Sequence, residues 1–313
     1  MSTSLQEQKA ALEARYGAWT AHNIRLADDL YTISPEPAGD EVKLRRVTQV
    51  ALDVCGGSLE GIRVLDLACL EGMYSLELAR RGAQVVAVEG REANVEKARF
   101  AARVLGVDVD FQLGDVRDLS RERHGEFDVV LALGILYHLD APDLFSLVEH
   151  IAAVCRRALV VDTGVGSAGT ESLTDHGHGY HGIRLVEHAP DSTDAERLQA
   201  VWSSLDNLTA VALTRPSLER LLARHGFTTV LECHVPAEPR KEVDRVTLLA
   251  LKGDPVGGLI SPPPHEDASD VPERPPLGRR LEGSGLLRAA RFAVPRRLRG
   301  RLRRIVGAET RRY

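Results

Sequence analysis

Residues Arg63 to Glu89 read RVLDLACLEGMYSLELARRGAQVVAVE. Branched apolar residues predict a strand over Val64 to Leu67, a helical period follows over Met73 to Arg81, and a second apolar run, Val85 to Val88, ends at the acid Glu89. This is a β-loop-α-β unit. Because ligands bind at the carboxyl ends of parallel strands, we expect the loop after the first strand and Glu89 to meet at one edge of the sheet. A nucleoside cofactor would fit there.

The same alternation of strand and helix continues to residue 162. The further predicted elements are helix Arg91 to Leu105, strand Val109 to Leu113, strand Phe127 to Leu133, helix Pro142 to Cys155 and strand Ala158 to Asp162. Residues Val230 to His234 and Arg245 to Leu251 predict an antiparallel closing hairpin. We therefore predict an α/β fold, a Rossmann-like doubly wound sheet that is mostly parallel, with an N-terminal helical flap and a lid insertion.

Composition divides the chain into four parts. These are an N-terminal helical arm or flap over 1–58, the sheet domain over 59–253 with a lid insertion at about 164–207, a disordered linker over 254–278 and an Arg-rich amphipathic tail over 279–313. The insertion is rich in Gly and His and has no clear period, so we predict an irregular lid on the substrate side, with a helix over Leu198 to Leu205. In the arm, Trp19, His22 and Tyr31 are aromatic side chains with polar tips, which favours a flap that contacts substrate, although simple packing on the core is the alternative.

Charge is distributed unevenly along the chain. From Arg279 to Tyr313 twelve arginines face two glutamates, a balance of +10, so the first 278 residues carry −15 of the total −5. An acidic body disfavours nucleic acid as a partner, because phosphate binding needs a basic face. The basic tail is compatible with an anionic membrane surface, with another polyanion or with no partner at all.

The polar N-terminus and the lack of a long apolar run predict a cytoplasmic protein, with the tail as a candidate peripheral contact to the inner membrane face. The four cysteines have no CxxC spacing and lie in or beside apolar segments, which favours reduced core thiols.

The ordered set of motifs resembles the class I S-adenosylmethionine-dependent methyltransferases. The resemblance covers about Val64 to Asp162: a strand, an acidic loop, Glu89 after the second strand, Gly114-Asp115 after the third, and an apolar fourth strand that ends near Tyr137-His138. A nicotinamide-binding Rossmann domain is the competing prediction. That fold needs G-x-G-x-x-G after the first strand, and the corresponding places here hold Ala68, Leu70 and Met73.

The resemblance implies S-adenosylmethionine as cofactor and a set of residues that contact it. Asp66 and the backbone near Ala68 would hold its amino acid end, Glu89 would accept both ribose hydroxyls, and Asp115 would face the adenine. The whole implied set is Asp66, Ala68, Gly72, Glu89, Gly90, Asp115, Val116 and Leu133. Most of the family has Gly at the places of Ala68 and Leu70, so we expect the loop to turn with ordinary backbone angles, or the pocket to hold a modified cofactor.

On the acceptor side, His138 follows the fourth strand, where the transferred methyl should lie, and is the candidate general base. A structural histidine bonded to backbone is the alternative. Asp162 ends the fifth strand on the same rim as a second candidate catalytic residue, and together with Asp206 and Asn207 it could hold Mg²⁺. The predicted substrate contacts are Trp19, His22, Tyr31, Tyr137, Tyr180, Arg184, Glu187 and His188.

The leading function is transfer of a methyl group to a hydroxyl of a small molecule or a saccharide. Two alternatives stay open. The GILYH and TRPSLERLLARHGF segments also resemble enzymes that modify the tRNA wobble uridine, some of which use a carboxylated cofactor. A non-catalytic scaffold with a cofactor fold is the other alternative. A homodimer is neither predicted nor excluded.

Overall fold

The structure is a computed structural model that describes residues 3–35, 40–167, 171–238, 242 and 244–253. These residues fall in one compact unit, Met1–Val256. The predictions of a linker over 254–278 and a tail over 279–313 lie outside the described residues. Within them, none of the helices has the length and apolar content to span a bilayer.

A seven-stranded sheet forms the centre of the fold. Its order is β11-β12-β7-β6-β3-β4-β5. Strands β3 to β7 run parallel to one another, and β12 pairs antiparallel with both β7 and β11. The strands are β3 Arg63–Leu67, β4 Gln84–Glu89, β5 Asp110–Leu113, β6 Phe127–Leu133, β7 Cys155–Gly164, β11 Phe227–Glu232 and β12 Arg245–Lys252. The predicted α/β fold with its closing hairpin is confirmed.

Helices cover both faces of this sheet, so two hydrophobic clusters form, one on each side. β6 is buried along almost its whole length, as its continuous apolar sequence predicts. The helices of the described residues are α1 Leu5–Tyr16, α2 Asp40–Val54, α3 Met73–Arg80, α4 Glu92–Leu105, α5 Arg121–His124, α6 Ala141–Val154, α7 Asp194–Gln199 and α8 Arg215–Arg224.

Local sequence explains where the central helices begin and end. Asp140 accepts the amide hydrogen of Ala141 at 2.8 Å, and Pro142 occupies the first turn, so α6 starts there. Gly106 has φ 64° and ends α4 in the left-handed conformation that glycine adopts without strain. Because α4 follows β4 and α6 follows β6 in the chain, both helices begin at the carboxyl edge of the sheet.

The insertion is more regular than predicted. Strands β8 Glu171–Asp175, β9 His178–Val186 and β10 Thr209–Leu213 form a separate antiparallel sheet in the order β10-β9-β8. The predicted helix over Leu198 to Leu205 is wrong, because the helix lies earlier, in α7. There Thr193 and Glu196 form a capping box that fixes its start.

The N-terminal arm packs into the core of the sheet unit. Trp19, Ile24 and Leu26 are buried in the same hydrophobic cluster as α3 and α4. The arm contains the short strands β1 Arg25–Ala27 and β2 Leu30–Tyr31, which pair antiparallel. It therefore lies against the edge where the loop after β3 turns into α3.

Candidate active site

The loop between β3 and α3 corrects the prediction of ordinary backbone angles. Ala68 has φ 54°, Leu70 has φ 49° and Gly72 has φ 83°. Three alternate residues are therefore left-handed, although two of them carry side chains. At Gly72 a Cβ would lie 2.8 Å from the ring of Phe111, so glycine is required there for space as well as for conformation. The loop therefore has left-handed backbone at positions 68, 70 and 72, although Ala68 and Leu70 are not glycine.

Glu89 holds this loop from the end of β4. Its carboxylate accepts the amide hydrogen of Leu70 at 3.0 Å and that of Arg91 at 2.9 Å, and a side-chain N–H of Asn94 at 3.2 Å. The side chain is only 2% exposed, and burial raises its pKa despite these donors. A tertiary hydrogen bond to Leu70 is thus one reason that a leucine can stay at positive φ.

Asp66 lies in the neighbouring strand β3 and is also buried. It accepts a hydrogen bond from the hydroxyl of Ser75 at 2.6 Å. Burial, with a smaller contribution from the Glu89 carboxylate, raises its pKa to about 7 despite the hydrogen bond from Ser75. Two buried carboxylates on adjacent parallel strands, with a left-handed loop between them, form a set of hydrogen-bond acceptors that suits a ligand carrying an ammonium group and ribose hydroxyls.

Glu71, in the middle of the loop, is a functional candidate that the sequence analysis missed. Its buried carboxylate accepts the amide hydrogens of Thr20, Ala21 and His22 at 2.8, 2.9 and 2.8 Å. The ammonium of Lys97 lies 3.5 Å away. The only sequence signal is an acid inside a turn between two buried elements. Glu71 fastens the N-terminal arm to the cofactor loop.

This attachment changes the picture of the aromatic flap. His22 accepts the amide hydrogen of Met73 at its Nδ1 atom, 3.2 Å away, and burial lowers its pKa to about 4. Trp19 is buried as well, whereas Tyr31 is half-buried in β2. Trp19 and His22 are therefore buried against the cofactor loop, and their contact with substrate stays a prediction.

Asp115, the predicted adenine contact, is engaged by its neighbour Arg117. The Arg117 backbone N–H lies 2.8 Å from Asp115, and its guanidinium donates at 2.9 and 2.6 Å. Burial would raise the pKa of the Asp115 carboxyl, but the bonds from Arg117 outweigh it and hold the pKa below the usual value. The following residue, Val116, is buried. Both stand one strand away from Glu89, as predicted.

His138 forms a dyad with Glu187. The Nδ1 atom of His138 lies 3.0 Å from each carboxylate oxygen of Glu187. Glu187 also accepts the amide hydrogen of Ser204 at 2.6 Å. The Asn207 side-chain amide donates to the backbone oxygen of His138 at 3.2 Å. Glu187 was predicted as a substrate contact, whereas its geometry makes it the partner that orients the candidate base.

Asp162 is buried and fully neutralised by protein groups. The Nζ atom of Lys43 lies 3.1 Å from it, Thr247 donates its hydroxyl hydrogen at 2.7 Å, and Arg245 forms a short ion pair with it. Burial would raise the pKa of Asp162, but Arg245 and Lys43 lower it to about 2. Arg245 also donates to the hydroxyl of Tyr137 at 3.2 Å, and the Tyr137 ring lies 4.2 Å from the His138 ring.

The predicted metal site is not formed. Asp206 pairs with Arg117 at 2.8 Å and Asn207 lies 3.5 Å from the same guanidinium, whereas Asp162 pairs with Lys43 and Arg245. No cluster of three or more His, Cys, Asp or Glu side chains suited to a metal occurs among the described residues. Each predicted ligand is satisfied by a cation of the protein, so the Mg²⁺ prediction is withdrawn together with the metal role of Asp162.

Three other predicted substrate contacts have structural roles. Tyr180 is 1% exposed and its ring lies 5.0 Å from that of Phe145 in the core. Arg184 pairs with Glu171 at 3.0 Å and with Asp140 at 3.3 Å. His188 is buried, with its Nε2 atom 2.9 Å from the backbone oxygen of Ser204. Tyr180 and Arg184 lie in β9 of the extra sheet and His188 lies just after it, an arrangement that the sequence pattern did not reveal.

Gly90 and Leu133, the last two predicted cofactor contacts, frame the crevice. Leu133 ends β6 and pairs with Asp162 of β7. Gly90 follows Glu89, and a Cβ built on it would lie 2.3 Å from the side chain of Leu205. The segment that contains Leu205 therefore packs directly on the predicted cofactor corner.

Comparisons with known proteins identify a methyltransferase domain in this part of the chain. A family model described as a methyltransferase domain matches residues 64–158. The ubiquinone biosynthesis O-methyltransferase of Xanthomonas axonopodis pv. citri is 34% identical over 120 residues, which cover 38% of this chain and 49% of that protein. The protein of the same name from Bordetella pertussis is 38% identical over 100 residues, which cover 32% and 41%. The chain spans about half the length of these relatives, or less.

Solved structures show the same fold over a longer stretch. The N-terminal domain of EvdMO1 with SAH bound has a TM-score of 0.63 at 22% identity, covering 80% of this chain and 98% of that one. The same domain in the presence of SAH and D-fucose has a TM-score of 0.62, with the same identity and coverage. Residues 64–158 thus match a methyltransferase domain, and the sheet unit has the fold of these SAH-bound structures, as the motifs of residues 64–162 predicted.

Proposed function

We propose that the protein transfers a methyl group from S-adenosylmethionine to a hydroxyl of a small molecule, with saccharides among the candidate acceptors. The observation that carries this proposal is the His138–Glu187 dyad at the end of β6, with both carboxylate oxygens 3.0 Å from Nδ1. The relatives named for O-methylation support the reaction class. The acidic body, −15 over the first 278 residues, favours a small acceptor over a nucleic acid.

The dyad fixes which nitrogen of His138 can act as a base. An ionised carboxylate only accepts hydrogen bonds, so the hydrogen between Glu187 and His138 is carried by Nδ1. The neutral ring then has its lone pair on Nε2. A hydroxyl bound beside Nε2 gives its proton to that nitrogen while its oxygen forms a bond to the methyl carbon. The negative charge of Glu187 stabilises the imidazolium that results.

The cofactor supplies the methyl carbon on a sulfonium, which leaves as the neutral thioether when the new carbon–oxygen bond forms. The residues that would hold it are Glu89 for the ribose hydroxyls and Asp66 for the amino group, with the loop of residues 68–72 between them. Both carboxylates are buried at the carboxyl edge of adjacent strands, which fits this role. In-line transfer requires that this corner and His138 be held in fixed register.

The test is transfer of labelled methyl to a panel of phenols, saccharides and tRNA, combined with calorimetry of SAH binding. His138→Gln should reduce kcat on the acceptor by about 100-fold or more and leave the Kd for SAH within about twofold. His178→Gln, on the exposed hairpin of β9, is the matched control and should behave as the wild type. An unchanged turnover in His138→Gln would exclude His138 as the general base. Lack of SAH binding by the wild type would exclude the proposed methyltransferase activity. Labelling of tRNA without labelling of any small molecule would contradict the proposal of a small-molecule acceptor.

A further inference from the structure

Residues 194–207, here called the cap, close over the cofactor corner. Leu205 of the cap packs on Gly90, where a Cβ would lie 2.3 Å from its side chain, so only glycine admits this contact. Asp206 pairs with Arg117, which also holds Asp115. The cap therefore touches the protein beside both strand ends that are proposed to hold the cofactor. Glu89 is 2% exposed in this arrangement, and the cap contacts the two residues that follow it, so access of ribose hydroxyls to Glu89 requires a local rearrangement.

Arg91 organises the cap from below. Its Nε atom donates to the backbone oxygen of Leu198 at 3.0 Å. Its Nη2 atom donates to four more backbone oxygens, those of Arg197, Ala200, Ser203 and Ser204 at 3.4, 3.0, 3.0 and 3.1 Å. Several of these oxygens belong to the end of α7, where helix carbonyls lack partners within the helix. The planar guanidinium can satisfy many acceptors at once, which an ammonium cannot do.

One peptide unit of the cap joins Arg91 to the dyad. The backbone oxygen of Ser203 and the amide nitrogen of Ser204 belong to the same planar group. That oxygen accepts from Arg91 at 3.0 Å, and that N–H donates to Glu187 at 2.6 Å. A continuous path of hydrogen bonds thus runs from Arg91 through this peptide to Glu187 and on to His138.

The other end of the path is the cofactor corner itself. The amide nitrogen of Arg91 donates to the Glu89 carboxylate at 2.9 Å, two residues before it in the chain. A ligand that binds Glu89 would therefore affect the hydrogen bond from the Arg91 amide, and the Arg91 side chain is the group that binds the cap. A shift of the cap would therefore change the hydrogen bond that the Ser204 amide donates to Glu187.

We propose that Arg91 is a positioning residue that makes the placement of the His138–Glu187 dyad depend on occupancy of the cofactor corner. This inference rests on the proposed function for its kinetic consequences. Its structural consequence, a response of His138 to SAH, needs no acceptor and no turnover. The expected result is that SAH binding moves the cap and thereby changes the surroundings of His138.

The first test follows the ring signals of His138 by NMR in protein with labelled histidine, assigned with His138→Gln, as SAH is added to saturation. In the wild type the signals should shift with SAH. In Arg91→Met the shift should fall by half or more while the Kd for SAH stays within about fivefold. Arg156→Met is the matched control. The Arg156 side chain lies near the start of β7, is exposed and pairs with Glu126. An undiminished shift in Arg91→Met would overturn the inference.

A second variant covers the case in which Arg91→Met does not fold. Leu205→Ala keeps every hydrogen bond of Arg91 and removes only the contact with Gly90, so a reduced His138 response is expected there too. If the wild type binds SAH without any response of His138, the inference fails and the proposed function stands. If the wild type does not bind SAH, the proposed function itself fails.

Kinetics separate positioning from a general structural role. Arg91→Met should lower kcat by about tenfold or more with little change in the KM for S-adenosylmethionine. If Arg91 acts through Glu187, the double variant with Glu187→Gln should lose about as much as Glu187→Gln alone, within about threefold. If the losses of kcat in Arg91→Met and Glu187→Gln multiply in the double variant, the path from Arg91 to Glu187 is contradicted. A loss of kcat in Arg91→Met that is matched by an equal loss of cofactor affinity would contradict it as well. Arg91→Lys should restore part of kcat, because it returns the charge and one or two of the donors.

Discussion

Glu187 faces the Nδ1 atom of His138 with both carboxylate oxygens, each 3.0 Å away, although 49 residues separate the two in the chain. The contact joins the end of β6 in the central sheet to the end of β9 in the inserted sheet. Because the inserted sheet supplies Glu187, the insertion completes the candidate catalytic pair. Without the insertion, the Nδ1 atom of His138 would lose this carboxylate partner.

Replacement of Glu187 by Gln should therefore impair chemistry more than cofactor binding. The amide keeps the size of the side chain but can present its NH₂ to Nδ1, which stabilises the wrong tautomer of the ring. We expect kcat to fall by about 100-fold with the Kd for SAH unchanged within about threefold. Glu126→Gln, at the opposite edge of the sheet, is the control. A wild-type kcat in Glu187→Gln would show that the tautomer does not matter.

Replacement of Glu89 by Gln should weaken the cofactor. The carboxylate accepts from Leu70 at 3.0 Å and from Arg91 at 2.9 Å, and it is the proposed acceptor for ribose hydroxyls. An amide accepts with one atom only, so SAH affinity should fall by about tenfold or more, corresponding to the roughly 1.5–3 kcal/mol of charged hydrogen bonds. Calorimetry measures this directly. The exposed Glu92→Gln should bind as the wild type, and equal affinity in both variants would remove Glu89 from the site.

Much of this arrangement could be predicted from sequence, for a physical reason. Apolar runs over residues such as 127–133 are buried strands wherever they occur, and acids directly after them come to the same sheet edge by topology. That is why Glu89, Asp115 and His138 were placed correctly. The pairing of His138 with Glu187 depends on the register of the inserted sheet, for which the Gly- and His-rich sequence carries no period. Tyr180 was misplaced for the same reason.

The backbone of the cofactor loop could not be predicted because local preference is overruled by tertiary contacts. A leucine disfavours positive φ when it is considered alone, yet Leu70 adopts 49° and donates its amide hydrogen to Glu89. From the sequence alone, Glu71 would likewise be predicted to be an acid on the surface. Only the fold brings three amide groups of the arm to its carboxylate.

Replacement of Glu71 by Gln should release the N-terminal arm. Its carboxylate accepts from the amides of Thr20, Ala21 and His22, and an amide NH₂ would face one of these donors. We expect the free energy of unfolding to fall by about 3 kcal/mol, as for other broken buried charge contacts. Denaturant unfolding gives this value, and proteolysis near residues 17–23 reports the arm. Glu77→Gln, in an i,i+4 pair with Arg81, should cost less than about 0.5 kcal/mol, and an equal cost at both positions would contradict the role of Glu71.

Acid should remove the contribution of Asp162. Its folded pKa of about 2 lies below the ordinary aspartate value, so its stabilisation is complete above about pH 4 and is lost as the pH falls towards 2. The difference in unfolding free energy between the wild type and Asp162→Asn should therefore shrink by about 2 kcal/mol across this window. The same comparison with Asp110→Asn on the exposed edge should stay flat. A constant difference for Asp162→Asn would mean that the carboxylate gains nothing from Lys43 and Arg245.

The left-handed Ala68 and Leu70 have a consequence for protein engineering. Each non-glycine residue in this conformation costs roughly 1 kcal/mol, which the fold sustains through contacts such as the bond from Leu70 to Glu89. Glycine normally destabilises a chain by enlarging the unfolded ensemble, but here it would also relieve that cost. A selection for thermostable variants of this protein should therefore accept glycine at positions 68 and 70. The sequence of such survivors would converge on the glycine-rich loop that is typical of class I methyltransferases.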